Sequence, residues 1–544
     1  MSRLATGAAL AVLTLLGWIS FPGHTWLQQD TQIYAPILEH QWDHRVLNQD
    51  LLVQHPHVAY TFYDELANGV RRLTGASLEH ALAGAQLVFR WLGLLGIFLI
   101  AASLGFSRVE SLLVTAIWSL GATVIGPAVL TVEYEPTPRA LAVPLILLAI
   151  GLMAQHRPAW AGVAASLAFL LHPPTVWPFW AVLVMMLVFR REAGSARTLA
   201  WALAPLAVAI VLLALHASRQ GGAVEHQQFF GRLSPRLEAM QRLRAPYNWV
   251  SMWWRQSLLQ YVALWAASCW ATCRVRARVN QPLRWFVVAL PVLALGSVPL
   301  SWLLLEQMKW MLMPQVQPAR ALLFVTAIAQ ILMSAAGCQA AARRRAWEAA
   351  AWFAAVFLIP AMAPLLAWPT LPLAATAAGL TVATVGALAL FRHSRRLGAA
   401  AVAAVALCAT VAYPALASVH NYRLMETPEL AALAAWARNS TPVDAVFLFP
   451  AAEHRSGDPG VFRARALRAV YVDWKGGGQV NYLPVFADEW WRRWQQVSGH
   501  LPARTHLSVY RTWGVRYVVT RAPAAIPGVA PIYRNRFYCV YAAR

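Results

Sequence analysis

Apolar runs of roughly the length of a membrane span recur along most of this chain, and they constrain its fold more than any other feature. A helix needs about 20 mostly apolar residues to cross the hydrocarbon core of a bilayer. The first run resembles a signal peptide in length, but no small-x-small cleavage site precedes Pro22, so we interpret it as a retained span. The sequence predicts an all-α polytopic integral membrane protein with about 13 transmembrane helices. The candidate spans lie at residues 4–21, 86–105, 109–130, 139–154, 158–171, 175–189, 198–216, 256–273, 285–305, 319–341, 348–366, 371–391 and 398–418.

Composition and charge agree with a membrane protein. Of the 544 residues, 59% are hydrophobic and 12% are charged, which is about half the charge of a typical soluble chain. The formal net charge of +22 would suggest nucleic-acid binding in a soluble protein, but many basic residues lie in short tracts between apolar runs. We therefore expect no nucleic acid as a partner. Four of the five cysteines fall inside apolar runs, so we expect no disulfide framework.

The basic tracts occupy every second connection between the predicted spans. Cytoplasmic loops of membrane proteins carry an excess of Lys and Arg, so the pattern predicts a cytoplasmic N-terminus. Most of the acidic residues fall in the opposite loops or the tail, which suggests chemistry on the outer face. The basic residues are Arg108, Arg157, Arg190, Arg191, Arg197, Arg274, Arg276, Arg278, Arg343, Arg344, Arg345, Arg392, Arg395 and Arg396.

Three outer segments are too long to be simple turns: 22–85, 217–255 and the tail, residues 420–544. In the first, Val58–Leu73 has the apolar spacing of a helix lying along a surface. In the tail, Thr427, Pro428 and Glu429 have the pattern of a helix start, and short β-like runs follow at 445–449, 469–472 and 515–520 and on both sides of a turn at 534–536. The sequence predicts a transmembrane domain over 1–419 and a small α/β domain over 420–544 outside the membrane.

Three carboxylates are candidates for chemistry on the outer side. Asp30 stands a few residues beyond the first span, where it could take a proton from a hydroxyl or hold a metal ion; a solvated loop acid or a helix cap is the alternative. Glu133 and Glu135 share a short outer loop whose prolines favour extension, so they could chelate a divalent cation or divide base and stabiliser roles. The alternative for Glu135 is a plain ion pair with Arg139.

Several other side chains could bind a substrate. His172, before Pro173, could bind a phosphate or a sugar hydroxyl, or be incidental to a prolyl turn. Six outer cations could stabilise a leaving phosphate, with lipid headgroup contact as the alternative. These are Arg232, Arg236, Arg242, Arg244, Lys309 and Arg320. We interpret Lys475 and the following Gly476–Gly478 as a flexible turn, because they lack the glycine spacing of a phosphate loop.

Together, an Asp shortly after the first span, paired acids in the second outer loop, many spans and an outer C-terminal domain resemble the GT-C superfamily of polyprenyl-phosphate-dependent glycosyltransferases. The closer resemblance is to bacterial GT-C-like membrane proteins in which an acid-x-x-Pro-Arg stretch precedes a span and a His-Pro turn follows the next one. Here those positions are Glu135 to Arg139, one residue looser, and His172-Pro173. The first loop lacks a second acid after Asp30, and the second loop reads Glu-x-Glu rather than Asp-x-Asp.

The resemblance implies a GT-C-like transmembrane fold and an inverting glycosyltransferase. The donor would be a polyprenyl-phosphate sugar and the acceptor an envelope glycan or lipid. Asp30, with Glu133 and Glu135, would be catalytic, and the same three would hold Mg or Mn if a metal is used. Asp30 would deprotonate the acceptor, and cations would stabilise the departing polyprenyl phosphate. Substrate-binding residues would be Tyr34, Arg139, His172, Arg232, Arg236, Lys309 and Arg320. The protein would lie in a bacterial inner membrane, with its C-terminal domain periplasmic.

Two other functions remain open on sequence grounds. One is a carrier or flippase for a lipid-linked envelope component, although the predicted spans hold no acid away from their ends. The other is a catalytically silent scaffold, whose Trp490, Trp491 and Trp494 could form a contact surface or pack inside the domain. A structure without a groove leading to Asp30 would favour the scaffold.

Overall fold

The computed structural model describes residues 2–58, 60–189, 193–219, 230–360, 369–422, 424–450, 455–498 and 504–543. Side chains at 193–198 and 504 are not described. Several sequence predictions therefore fall wholly or partly outside the described residues. They are the basic pair Arg190 and Arg191, part of the outer segment 217–255, the end of the predicted span 348–366, one residue of 22–85 and short stretches of 420–544.

Every one of the predicted spans contains a helix. The helices are α1 Arg3–Ile19, α5 Leu78–Ser103, α6 Arg108–Ser119, α7 Pro138–Ala154, α8 Pro158–Leu171, α9 Pro173–Phe189, α10 Ala193–Arg219, α12 Arg255–Val275, α13 Gln281–Ser301, α15 Leu322–Ala342, α16 Ala346–Leu358, α17 Leu371–His393 and α18 Arg395–Leu416. Among the described residues, six helices are long and apolar enough to cross a membrane, and five more are apolar but shorter. The chain is a multi-pass membrane protein, while the number of spans stays a prediction.

The bundle is built around α15, in which every residue from Leu322 to Ala341 is buried. Helices α5 and α7 cross closely because Gly96 and Gly151 meet there. A Cβ atom added to Gly151 would lie 2.5 Å from the carbonyl oxygen of Gly96. Small residues at a helix crossing let two backbones approach in this way.

The predicted span 109–130 is too long. Helix α6 begins at a capping box of Ser107 and Glu110 and ends at Ser119. The chain then turns into a short antiparallel hairpin, β1 Thr123–Val124 and β2 Val129–Leu130. Gly121 and Gly126 have positive φ angles of 69° and 89°, a conformation that glycine adopts without steric cost. Hydropathy alone does not register these turns.

The α1–α5 connection contains three helices: α2 Thr31–Trp42, α3 Leu51–Gln54 and α4 Tyr63–Thr74. The sequence prediction of a surface helix from Val58 begins too early, since α4 starts at Tyr63. Between α10 and α15 the chain adds two short helices, α11 Pro235–Arg244 and α14 Met313–Val316.

The tail forms a mixed five-stranded sheet with helices around it. Its helices are α19 Pro428–Ser440, α20 Asp458–Ala466, α21 Pro484–Val497 and α22 Arg504–Thr512, and its strands are β3 Val446–Leu448, β4 Ala469–Val470, β5 Tyr517–Arg521, β6 Tyr533–Arg534 and β7 Tyr538–Ala542. The strand order is β4-β3-β5-β7-β6, parallel from β4 to β5 and antiparallel beyond. The predicted helix start at Thr427 and the predicted small sheet are confirmed, since the Thr427 side chain caps α19.

The tail is joined to the α1–α5 connection by a buried ion cluster. Arg463, only 1% exposed, lies 2.8 Å from Asp473 and 3.6 Å from Asp50. Asp50 also accepts the backbone N–H groups of Leu52 and Val470, each at 3.0 Å. We call Asp50, Arg463 and Asp473 the closed cluster.

Candidate active site between the bundle and the tail

A polar cavity of about 440 Å³ lies where the α1–α5 connection, the residues between β2 and α7, and the tail meet. Seven of the residues proposed from sequence line it, together with Asp30. They are Tyr34, Glu133, Glu135, Arg139, His172, Arg244 and Arg320. We call it the polar cavity.

Asp30 stands at the N-terminal end of α2, but its side chain does not cap the helix. One carboxylate oxygen instead accepts a hydrogen bond from Lys475 Nζ at 2.7 Å, and 40% of the side chain is exposed to the cavity. Burial alone would raise the pKa of Asp30, but Lys475 and Arg139 outweigh it and hold that pKa well below its usual range. Asp30 is therefore ionised at neutral pH.

Glu135 holds the backbone around Asp30 in place. Its Oε1 accepts the N–H groups of Gln28 at 2.5 Å and Gln29 at 2.7 Å, and the Thr31 hydroxyl at 2.9 Å. Its Oε2 accepts the Thr31 N–H at 3.2 Å. Burial and the charge of Asp30 raise the pKa of Glu135 to about 7, although these donors favour the carboxylate. Both oxygens of Glu135 thus accept hydrogen bonds from donors of the protein itself.

Glu133, not Glu135, pairs with Arg139. Its Oε1 accepts a hydrogen bond from Arg139 Nε at 2.5 Å, and both side chains are largely buried. The backbone carbonyl of Glu133 accepts from Arg90 at 2.5 Å and from Gln86 at 2.8 Å. The alternative of a Glu135–Arg139 pair is therefore wrong. Arg90, in α5, also donates to the carbonyl of Gly23 at 2.7 Å and so holds the second acidic loop, while its buried Nε has no hydrogen-bond partner.

Arg320 and Lys475 both line the cavity and supply positive charge to it. The Arg320 guanidinium lies 5.4 Å from the Tyr247 ring, and its buried Nε has no hydrogen-bond partner. A buried guanidinium with an unused donor suits an anionic ligand.

The Lys475 ammonium is placed by Arg244, which donates to the carbonyls of Trp474 at 2.6 Å and Lys475 at 2.9 Å. Arg244 also stacks on Trp474, 5.0 Å from its ring. Arg244 therefore acts as a support for the turn that carries Lys475.

Neutral aromatic and imidazole groups complete the wall. His57 lies between the rings of Tyr34 and Tyr482, at 5.2 and 5.0 Å, and its Nδ1 is 2.8 Å from Gln479 Oε1. Burial lowers the pKa of His57, and burial with Arg139 and Arg320 lowers that of His172, so both rings are neutral at neutral pH. Such groups can exchange hydrogen bonds with sugar hydroxyls.

The structure places four predicted cations away from the cavity, where each has its own contacts. Glu238 binds Lys309 at 2.6 Å and Arg242 at 2.9 Å. Arg236 forms an exposed pair with Asp488 at 3.1 Å, and Arg232 donates to the carbonyl of Met308. Arg232, Arg236 and Arg242 lie in the same predicted outer segment as Arg244, and sequence position alone did not separate them.

Lys475 and His57 were not among the site residues predicted from the sequence, and the prediction of a flexible turn after Lys475 is wrong. Residues Gly476–Asn481 form a 3₁₀ helix, not a flexible turn. A Cβ on Gly477 would lie 2.4 Å from the Trp490 ring, and one on Gly476 would lie 2.5 Å from Asp473. Consecutive glycines beside a lysine were the available signal, because they mark close packing that fixes the lysine in place.

The three predicted metal ligands do not form one group. Asp30 is bound by Lys475, Glu133 by Arg139, and Glu135 by backbone donors. Within the described ranges, one set of side chains gathers enough ligand atoms for a cation: Asp64, Glu65 and His216. No divalent cation is established for this chain.

One family model matches part of the tail. The family described as "Domain of unknown function (DUF6798)" matches residues 428–497, from the start of α19 to the end of α21. No curated protein matches the sequence.

Solved structures match the whole chain at low identity. ArnT from Cupriavidus metallidurans in the apo state is 14% identical with a TM-score of 0.53, covering 100% of this chain and 99% of its own. The same protein bound to undecaprenyl phosphate is 13% identical with a TM-score of 0.49, over the same shares. The Archaeoglobus fulgidus oligosaccharyltransferase tethered with an acceptor peptide is 11% identical with a TM-score of 0.44, over 96% of this chain and 69% of its own.

The likeness to apo ArnT shows the fold. This chain has the GT-C fold, and the resemblance drawn from its sequence is confirmed at that level.

Proposed function

We propose that this protein is a glycosyltransferase that moves a sugar from a polyprenyl-phosphate donor to an envelope glycan or lipid acceptor. The observation that carries the proposal is the polar cavity, in which an ionised, partly exposed Asp30 lies among Lys475, Arg139 and Arg320. One carboxylate for the acceptor and several cations for a leaving phosphate are what such a transfer needs.

The chemical step is a displacement at the anomeric carbon. The acceptor oxygen forms a bond to that carbon while the bond to the phosphate oxygen breaks, with inversion. Asp30 accepts the hydroxyl proton, and the polyprenyl phosphate departs as an anion beside Arg320 and Lys475. Glu135 and Arg90 act indirectly, since they hold the loops that present Asp30 and Glu133.

Lys475 couples the two halves of the reaction. While it is bound to Asp30, that carboxylate is a poor base, because its pKa is far below neutral. A donor phosphate competes for the same ammonium, and as Lys475 turns toward it Asp30 becomes more basic. The base is thus activated only when the donor is in place.

The proposal includes a membrane topology, and the structure bears on the scaffold alternative. We infer a bacterial inner-membrane protein with a cytoplasmic N-terminus, a transmembrane domain over 1–419 and a periplasmic domain over 420–544. Asp30 lines a cavity, which argues against the silent scaffold. Trp490 and Trp494 are buried, so they offer no exposed contact surface.

The test is transfer by the full chain in lipid particles, given a synthetic polyprenyl-phosphate sugar and envelope acceptors. We expect Asp30→Asn to lower the rate by about 10²–10⁴-fold with the melting temperature unchanged. Asp43→Asn is the matched control, because Asp43 lies in the same connection but pairs with exposed Arg45. Equal rates for wild type and Asp30→Asn would remove Asp30 from the mechanism.

Native mass spectrometry of co-purifying lipids tests the donor separately. Retained polyprenyl phosphate that is lost in Arg320→Ala would support the donor class. Recovery of bulk phospholipid alone would count against it.

A further inference from the structure

A second polar group lies outside the polar cavity, at the junction of α4 and α10. Asp64 and Glu65 are in the first turn of α4, and His216 is in the last turn of α10. One ligand atom from each lies within 4.8 Å of the others, and His216 Nε2 is 3.2 Å from Glu65 Oε1. None of the three lines the polar cavity. Acids in a first helical turn also suit the helix dipole, so the group needs a second observation to indicate a ligand.

That observation is the state of the Asp64 carboxylate. Asp64 is 3% exposed. Its Oδ2 accepts a hydrogen bond from Gln41 Nε2 at 2.9 Å, whereas its Oδ1 is buried without a hydrogen-bond partner. A buried carboxylate oxygen without a donor or a cation is costly, and an oxygen of this carboxylate lies within 4.8 Å of a Glu65 carboxylate oxygen.

The neighbouring charges sharpen the need for a positive partner. Ionising both of two carboxylates this close costs free energy unless a cation lies between them. Without a cation, the two carboxylates share a proton. These are the two states that an experiment must separate.

We propose that Asp64, Glu65 and His216 bind a divalent transition-metal cation, with Zn²⁺ the ion that fits their chemistry best. One imidazole nitrogen and two carboxylate oxygens form a common zinc ligand set, with water as the fourth ligand. Zinc bonds of about 2.0–2.1 Å in a tetrahedron separate neighbouring ligand atoms by about 3.3 Å. The 3.2 Å between His216 and Glu65 already matches this separation.

The surroundings support the ligands as an outer shell would. Gln41 binds Asp64 and in turn accepts a hydrogen bond from Asn68 at 3.1 Å, and the His216 ring packs on Phe62, 4.5 Å away. Such outer contacts orient metal ligands. The Glu65 side chain is 42% exposed, which leaves a path for the ion to enter.

A cation here would tie α10 to the start of α4, close to the polar cavity. Tyr63, next to Asp64, donates its hydroxyl to the carbonyl of Pro136, and its ring packs against Tyr34 at 5.3 Å. The site is therefore a structural clip for the wall of the cavity, and it does not depend on the reaction proposed for that cavity.

The test uses the full chain in detergent, purified with a tag that contains no histidine and stripped with EDTA. After addition of ZnCl₂ and gel filtration, we expect elemental analysis to give one zinc ion per chain for the wild type. His216→Gln and Glu65→Gln should weaken zinc binding at least tenfold. The control His80→Gln, which replaces an exposed histidine of α5, should leave zinc binding unchanged. Replacement by Co²⁺ should give the visible absorption of a four-coordinate site in the wild type only.

Two results would overturn the proposal. Zinc in the wild type at no more than the level of His216→Gln would mean that no site exists, and this comparison stands even if Asp64 variants fail to fold. Equal melting temperatures of the wild type with EDTA and with ZnCl₂, together with no bound zinc, would mean that Asp64 and Glu65 share a proton instead.

Discussion

The α1–α5 connection and the tail meet at the closed cluster and at the polar cavity, and the charged side chains are paired differently in the two places. In the closed cluster, Arg463 lies between Asp50 and Asp473, and the carboxylates also accept backbone N–H groups. In the polar cavity, two residues further along the tail, Lys475 meets an Asp30 that is 40% exposed, and Arg320 has an unused donor.

This difference distinguishes a structural ion cluster from a group of charges that a ligand can reach. Charges taken out of water need ion-pair partners to be stable, and in the closed cluster Arg463 is paired with both carboxylates, although its Nε also lacks a hydrogen-bond partner. In the polar cavity Asp30 is partly exposed and Arg320 has an unused donor, so we infer that these charges are available to a ligand. The closed cluster fixes Asp473, whose Oδ2 accepts the Gly476 N–H at 2.8 Å, and so it also fixes the turn that carries Lys475.

Breaking the closed cluster should have the largest effect on stability. Arg463→Met leaves two buried carboxylates without their cation, which costs about 3–5 kcal/mol when a buried pair is broken. Thermal denaturation in detergent measures the loss. The matched control is Arg236→Met, whose pair with Asp488 is exposed and worth about 0–1 kcal/mol. Equal melting temperatures for the two variants would contradict the distinction between closed and open groups.

Removing the cavity lysine should lower activity without unfolding the protein. Lys475→Met takes away a cation that faces both Asp30 and the leaving phosphate, and we expect the transfer rate to fall about 10²–10³-fold. Lys475→Arg should recover part of that loss, because the positive charge remains. A melting temperature that falls as far as in Arg463→Met would show that Lys475 is structural instead.

The pH dependence should come from Glu135 and not from Asp30. Asp30 stays ionised well below neutral pH because its pKa is depressed, whereas the pKa of Glu135 is about 7. As the pH falls through 7, a proton on Glu135 removes an acceptor from the loop that carries Asp30. At pH 6 about a tenth of Glu135 is ionised, so kcat/KM should fall about tenfold. A flat profile between pH 8 and pH 5.5 would contradict this role.

The smallest effect is expected at Lys309. Its ammonium is bound by Glu238 outside the polar cavity, so Lys309→Met should change stability by about 0–1 kcal/mol and leave the transfer rate unaltered. A rate loss close to that of Lys475→Met would restore Lys309 to the substrate-binding set proposed from sequence.

Local patterns determined much of the fold in advance. Apolar runs located the helices of the bundle, and the Thr427, Pro428 and Glu429 signature located the start of α19. These features depend on neighbours within a few residues, so the sequence carries them directly. The end of α6 was missed for the same reason, since its turn at Gly121 lies inside a continuous apolar run.

The pairing of distant charges was decided by the tertiary structure alone. Asp30 stood out in the sequence because it follows the first span, but its partner Lys475 lies 445 residues away. Glu133 and Glu135 are equivalent on paper, yet one pairs with Arg139 and the other holds the backbone of residues 28–31. His216 likewise reaches Glu65 only because the end of α10 lies at the start of α4. Periodicity and caps report what a segment becomes, whereas the partner of a charge depends on how the whole chain closes on itself.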